Sequence, residues 1–193
     1  MMFRPRTSPG TMLRILAAGL CTLSMCGSAL AQQLLPDESR IEFVSKQMGV
    51  PVSGHFQRFE AEVRFDRSQP ESAEIRLAID TGSATLGIKD TDAELPKPIW
   101  FDVAQFPQAV FTSSDVKAVG DDRYEVEGEL SIKGSKHPVT VPVQLESEGE
   151  HTVASGEFTI QRLSYAIGDG EWADTSLVAD DVQVRFRLVL SGL

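Results

Sequence analysis

Residues 169–181, Asp-Gly-Glu-Trp-Ala-Asp-Thr-Ser-Leu-Val-Ala-Asp-Asp, gather five carboxylates around a tryptophan. Asp169, Glu171, Asp174, Asp180 and Asp181 flank Trp172, and Gly168 and Gly170 loosen the start of the stretch. Carboxylates with glycines can hold calcium, and two carboxylates at the right separation can hydrolyse a glycosidic bond. The spacing does not make an EF-hand, which needs acidic ligands at positions one, three and five followed by glycine at six. A glycosidase pair needs one carboxyl with a raised pKa, and a short hydrophilic loop offers nothing to raise it. A solvated connection is the plain reading and a weak cation site the other.

Other reactive side chains are scattered. His55, His137 and His151 lie far apart, so zinc spacing is absent, and His137 before Pro138 suits a solvated turn. No serine sits in a G-x-S-x-G elbow, and no phosphate-binding loop occurs. Ser53 and Ser83 have no evident base beside them. The residues therefore give no footing for an enzyme, and no metal or cofactor is expected.

The N-terminus carries Arg4, Arg6 and Arg14 and no acid, then an uncharged run from Ile15 to Leu30 ending in Ala29-Leu30-Ala31. That order describes a secretory signal peptide over 1–31, with the working domain over 32–193 in the periplasm. A membrane anchor is the alternative, but the run is short for a span. Leu23-Ser24-Met25-Cys26 has the outline of a lipid-attachment site, with bulky Met25 where a small residue is preferred. Cleavage after Ala31 removes both cysteines, so the fold would stand without a disulfide. It also removes three arginines and no acid, taking the formal charge from −10 to −13. Such a chain does not bind nucleic acid or anionic lipid through bulk charge.

The elements that must position any site read as strands. Val182, Val184, Phe186, Leu188 and Leu190 alternate with Gln183, Arg185, Arg187 and Val189, and Tyr124 to Ile132, Val139 to Leu145 and Ile75 to Ile79 do the same. Alternation puts one set of side chains on each sheet face. Ile41 and Phe43 mark the first strand, and Ala61, Val63 and Phe65 extend one that begins near Phe56. Gly120-Asp121-Asp122, Lys133-Gly134-Ser135-Lys136 and Glu148-Gly149-Glu150 supply the turns. About eight to ten strands result, apolar on one face and charged on the other, as in an antiparallel sheet. The segment 90–111 does not alternate. Thr91 with Glu94 could make a capping box, so short helical turns are expected around residues 90–105. A sheet of about eight strands hides its edges by closing into an all-β antiparallel barrel. Its interior is either filled by side chains or wide enough for one small ligand.

Four stretches in order give this pattern a resemblance. They are "VPVSGHFQRFEAEVRFD" (50–66), "IWFDVAQFPQAVFTSS" (99–114), "YEVEGELSIKGSKHPVTVPV" (124–143) and "GEFTIQRLSYAIGDGEWADTSLVADDVQVRF" (156–186). Over residues 37–193 the chain resembles the YceI family of secreted bacterial proteins. The resemblance implies a lipocalin-like closed barrel with a tunnel for a long apolar chain. It implies binding of polyisoprenoid lipids, quinones or fatty amides in the periplasm, without an established catalytic activity. Dimers are common in the family, so a homodimer is an open expectation, as is transient contact with a membrane or membrane protein. The sequence departs from the family at Lys46, where many members have His, and at Arg162-Leu163-Ser164-Tyr165-Ala166, where many have Arg-x-Asp-Phe-Gly.

The expected function is thus a periplasmic carrier of an isoprenoid-type or other long-chain amphiphilic lipid. The alternative is a secreted, stress-related or interaction module with a filled core, acting through its surface. Tunnel-lining candidates follow the apolar register: Phe43, Phe56, Phe59, Val63, Phe65, Leu77, Ile79, Val126, Leu130, Phe158, Phe186 and Leu188. Ordinary core packing would explain each one singly. Phe106 and Phe111, flanking Pro107, are expected to close one end with Trp100. Trp172 is expected to be buried over a barrel end, as a plug or a ligand contact. Lys46 and Arg162 are the candidates for a polar head group, since a cation suits a phosphate or a quinone oxygen. For Arg162 an ion pair with a loop carboxylate is the competing role.

Overall fold

Tight turns decide which strands are neighbours. Met48-Gly49 and Lys133-Gly134 each place two successive residues at positive φ, 48° and 80° in the first and 49° and 79° in the second. That geometry makes the two-residue hairpin whose twist matches the strands it joins. Lys133-Gly134 was legible as a hairpin. Met48-Gly49 lacks the usual Asn or Asp and carries no such mark in the sequence.

The computed structural model describes Met1, Met2 and residues 32–193. The expected leader, with Cys21 and Cys26, falls outside the described residues but for the first two. Eleven strands follow: β1 Gln32–Leu34, β2 Arg40–Gln47, β3 Val50–Phe56, β4 Phe59–Arg64, β5 Glu74–Asp80, β6 Ala84–Thr85, β7 Gln108–Gly120, β8 Arg123–Ile132, β9 Ser135–Glu148, β10 His151–Gln161 and β11 Asp181–Ser191. Every pairing between them is antiparallel. Eight strands close a ring in the order β1-β4-β5-β7-β8-β9-β10-β11, because β1 pairs with both β4 and β11. The chain is therefore a closed antiparallel barrel of eight strands. The remaining three, β2, β3 and β6, extend the sheet as a flap.

One edge of β11 serves both arrangements. Its Leu190 and Ser191 pair with β1, while Gln183 to Arg187 pair with β2. The barrel is thus a ring at one end and splays into the flap at the other. The strand expected to run from Phe56 through Phe65 breaks at Gln57 and Arg58. There the backbone donates to Ser83, from Gln57 N–H to the carbonyl and from Arg58 N–H to Oγ. The chain turns a corner between flap and ring. The closing strand β1 is lengthened by a side chain. Gln32 donates from Nε2 to the Phe65 carbonyl (3.1 Å) and accepts the Phe65 N–H at Oε1 (3.0 Å), imitating one more ladder step.

The segment 86–107 lies over the splayed end. Its helix is one turn, α1 Lys89–Asp92, followed by hydrogen-bonded turns to Phe106. The expected capping box is not formed: the helix starts at Lys89, so Thr91 lies inside it. Asp92 takes the anchoring role instead, accepting from Thr85 Oγ1 (2.6 Å) and Leu86 N–H (2.6 Å). The Thr85 hydroxyl, then the Leu86 amide, hold its carboxyl below the ordinary aspartate value.

Inside the barrel, large rings sit over residues that have no side chain. Phe43 lies opposite Gly54 and Phe186 opposite Gly156, while Phe111 lies diagonally across from Gly128. A Cβ on Gly54 would fall 2.3 Å from the Phe43 ring, and one on Gly128 2.6 Å from that of Phe111. On Gly156 it would meet the Phe186 ring at 2.6 Å and the Pro142 carbonyl at 2.1 Å. The rings therefore rest on the wall of the barrel instead of crossing its axis, as aromatic side chains do over strand glycines. Since neither a backbone carbonyl nor a packed ring can yield freely, Gly156→Ala should cost about 1–3 kcal/mol of stability. Urea unfolding of the variant checks this, and a loss under about 0.5 kcal/mol would contradict the packing described.

Candidate functional site

The inward face left clear by those rings encloses two chambers. The wide one, about 490 Å³, lies at the splayed end and is lined by Phe43, Phe56, Trp100, Phe101, Ile160, Val178 and Val182 among others. The narrow one, about 140 Å³, lies in the ring end and is lined by Val63, Phe65, Leu77, Val126, Phe186 and Leu188 among others. Ile41, Ile79, Leu130, Phe158 and Val184 line both and form a waist between them. The wide chamber alone has the volume of an ordinary small-molecule pocket, about 300–1,000 Å³.

The open end is where the polar residues are. Ser45, Gln47, Asp90, Thr91, Glu94 and Arg162 line the wide chamber, and Asp90 and Glu94 are exposed. The narrow chamber has no charged lining residue. Trp172 stands at the opening, 36% exposed, with its ring 5.7 Å from that of Trp100. The buried residue of the acidic loop is Val178, 3% exposed, and not Trp172.

Arg162 builds this end. Its side chain is 2% exposed, and all of its N–H directions meet backbone carbonyls. Nε donates to Ala179 (3.0 Å), Nη1 to Ile167 (2.7 Å) and Gly168 (2.8 Å), and Nη2 to Trp172 (2.6 Å) and Val178 (2.7 Å). A guanidinium is suited to this because it offers five donors in a rigid fork. Burial lowers its pKa from the ordinary arginine value, and Asp180 and Asp169 act in the opposite sense. The loop it holds is stitched to its neighbours. Gly168 N–H donates to Ile99 O (2.8 Å), Met48 N–H to Leu177 O (2.8 Å) and Ala179 N–H to Lys46 O (2.9 Å). Ala166 adopts left-handed backbone at φ 53°, and Lys133 Nζ donates to its carbonyl. His137 is not a free turn residue. Its Nε2 lies 2.9 Å from Ser164 O and its ring meets that of buried Tyr165 edge-on at 4.9 Å.

The acidic stretch is absorbed by the same architecture. Asp180 accepts from Leu163 N–H (2.9 Å) and Asp174 from Ser176 N–H (2.8 Å). The Ser176 hydroxyl and amide hold the Asp174 carboxyl below its usual range. Among the described residues no three His, Cys, Asp or Glu side chains come together as a metal site.

Of the residues singled out by pattern, Phe43, Phe56, Val63, Phe65, Leu77, Ile79, Trp100, Phe111, Val126, Leu130, Phe158, Arg162, Trp172, Phe186 and Leu188 line one chamber or both. Three do not. Phe59 is buried away from the cavity. Phe106 packs on the Gly134 turn, where a Cβ would meet its ring at 3.0 Å, and lines neither chamber; Phe111 lines the narrow chamber and Trp100 the wide one, so the three do not close one end together. Lys46 is exposed because it alternates with Phe43, Ser45 and Gln47, and strand parity sends it outward. Arg162 lines the chamber but has no N–H left for a head group, and its partners are carbonyls instead of the carboxylate considered for it. Residues the pattern reading passed over include Ile41, Ser45, Leu95, Val116 and Val178. Ile41 and Ser45 were available from the parity of Phe43. Val116 was hidden by a bulge near Ser114, where the register with β8 shifts and the inward set changes from odd to even residues.

The comparisons agree with this geometry. The YceI-like domain family matches residues 33–190. A UPF0312 protein of Pectobacterium atrosepticum is 32% identical over 145 residues, covering 72% of this chain and 74% of its own length. The crystal structure of Burkholderia cenocepacia BcnA is similar at 39% identity and TM-score 0.79, covering 81% of this chain and 99% of the other. A polyisoprenoid binding domain from Saccharophagus degradans, implicated in plant cell wall breakdown, shares the fold at 20% identity and TM-score 0.65, covering 84% and 99%. The chain belongs to the YceI-like family.

Replacing Arg162 by Lys tests the role assigned to it. Lysine brings three donors on a point charge, so at least two of the five carbonyls lose their partner. The expected cost is about 3 kcal/mol, with amide exchange rising first in 166–179 and only later in the barrel strands. Unchanged stability, or exchange rising uniformly, would contradict it.

Proposed function

We propose that this member of the YceI-like family is a periplasmic carrier of a long-chain isoprenoid-type lipid, with the chain threaded through the waist and the head at the open end. The observation that carries the reading is the division of the interior. A narrow chamber without charge adjoins a wide one that holds all the charged lining residues, of which Asp90 and Glu94 are exposed. A chain with one polar end matches that order. The Saccharophagus domain of similar fold is a polyisoprenoid binding domain, which supports the same ligand class here. Family and fold favour a binding protein over an enzyme, and no described cluster of side chains argues for catalysis. An interaction module with a filled core would have large side chains meeting along the whole axis, whereas Phe43, Phe111 and Phe186 rest on glycines and only Phe65 and Tyr124 meet, at the ring end.

The energy is ample. Each buried CH₂ contributes about 0.8 kcal/mol, so a five-carbon unit supplies roughly 3–4 kcal/mol before costs. Ordering the chain and incomplete desolvation offset most of that. Selectivity then rests on tunnel length and on the mouth.

Mass spectrometry of organic extracts of the protein purified from periplasm tests the reading, and an isoprenoid-type lipid is expected. Leu77→Trp and Val126→Trp should each block the narrow chamber and lower lipid occupancy at least tenfold while the barrel still folds. If both variants fold and retain the parent's lipid, the tunnel is not the site. If the parent carries none and takes up none when offered, the carrier function fails.

A further inference from the structure

We propose that the mouth of the wide chamber takes a head group that donates hydrogen bonds and carries no negative charge, such as a hydroxyl, primary amide or amine, and disfavours a phosphate. The inference rests on the carrier reading and concerns only the polar end of the ligand. Three charged residues line the chamber, Asp90, Glu94 and Arg162. Arg162 is the one cation, and its Nε, Nη1 and Nη2 already donate to five carbonyls within 3.0 Å. An incoming phosphate could bind it only by unmaking the loop. Lys46 faces away on the outer side of β2, and Lys97, on the segment over this end, is already paired with Glu94 (2.5 Å).

What remains at the mouth accepts. Asp90 presents a carboxylate, Glu94 presents one that it shares with Lys97 (2.5 Å), and Gln47 and Thr91 present oxygens that can accept as well as donate. Ser45 is the most telling of the group. It lines the same chamber, and its Oγ is buried without any hydrogen-bond partner. A buried hydroxyl in a native site ordinarily has one. A head group bearing an O–H or N–H supplies it, since the serine oxygen can accept from the ligand. The surrounding charge acts in the same sense. Residues 32–193 carry a formal −13, the whole-chain −10 without the three arginines of 1–31. A phosphate at the mouth would face the Asp90 carboxylate, and a Glu94 carboxylate only partly offset by Lys97, within an already negative field.

The test offers the purified protein three probes with the same isoprenoid tail: the free alcohol, the primary amine and the monophosphate. Each is titrated alone and in competition, with bound species resolved by native mass spectrometry. The alcohol and amine should bind at least about tenfold more tightly than the monophosphate at low ionic strength, with the gap to the phosphate narrowing as salt is raised. The double variant Asp90→Asn, Glu94→Gln should raise phosphate affinity, and Ser45→Ala should weaken the alcohol without weakening the phosphate. Equal binding of all three, or tighter binding of the phosphate, overturns the head-group assignment while leaving the tunnel intact. If no probe binds, the carrier reading and this inference fall together.

Discussion

Everything at the open end of this barrel hangs on one buried cation. Arg162 stands at the exit of β10 and donates to carbonyls at 167, 168, 172, 178 and 179. A guanidinium removed from water is costly unless each N–H finds an acceptor. The loop cannot leave without stranding that charge, so its path is fixed. From it the neighbouring pieces take their places. Gly168 fits between the guanidinium and Trp100, where a Cβ would lie 2.6 Å from Nη1 and 2.9 Å from the indole. Its N–H holds Ile99, and with it the segment 86–107. Residues 177–179 bind the end of β2. The mouth of the cavity is what these three segments leave between them.

The other end follows from a different constraint. A closed sheet of eight strands has an interior that side chains can fill or leave hollow. Here Phe111 and Phe186 are accommodated by glycines on adjoining strands, while Phe65 and Tyr124 meet edge-on at 5.1 Å and narrow that end. The result is a tunnel with apolar walls, bounded by ordinary barrel packing. Structure and binding property are linked through Gly128 and Gly156 in the ring and Gly54 in the flap, since the same vacancies that accept Phe111, Phe186 and Phe43 leave room in the interior.

Much of this was readable from residue order, and the failures have physical causes. Alternation marks β4, β5, β8, β9 and β11 of the ring, because each side chain's face depends only on parity. The same rule sends Lys46 outward with Glu42 and Val44, away from the chamber. Val116 could not be placed, since a bulge in β7 shifts the parity and leaves no mark in composition. The segments 86–107 and 166–181 have no period, and their contacts depend on partners distant in sequence. Arg162 was noticed as a residue and misjudged as a role. Nothing local indicates that its acceptors are carbonyls supplied by the seventeen residues that follow it.

The central claim is that an apolar chain occupies the interior, and the protein carries its own probes for it. Its two tryptophans, Trp100 and Trp172, both line the wide chamber. Titration with a long-chain alcohol brominated along its tail reports contact directly, because heavy-atom quenching of indole emission needs near touch. The account predicts saturable quenching at one ligand per chain, reversed by an excess of the same alcohol without bromine. Emission that is unchanged, or that falls linearly without saturation, would contradict a tunnel site.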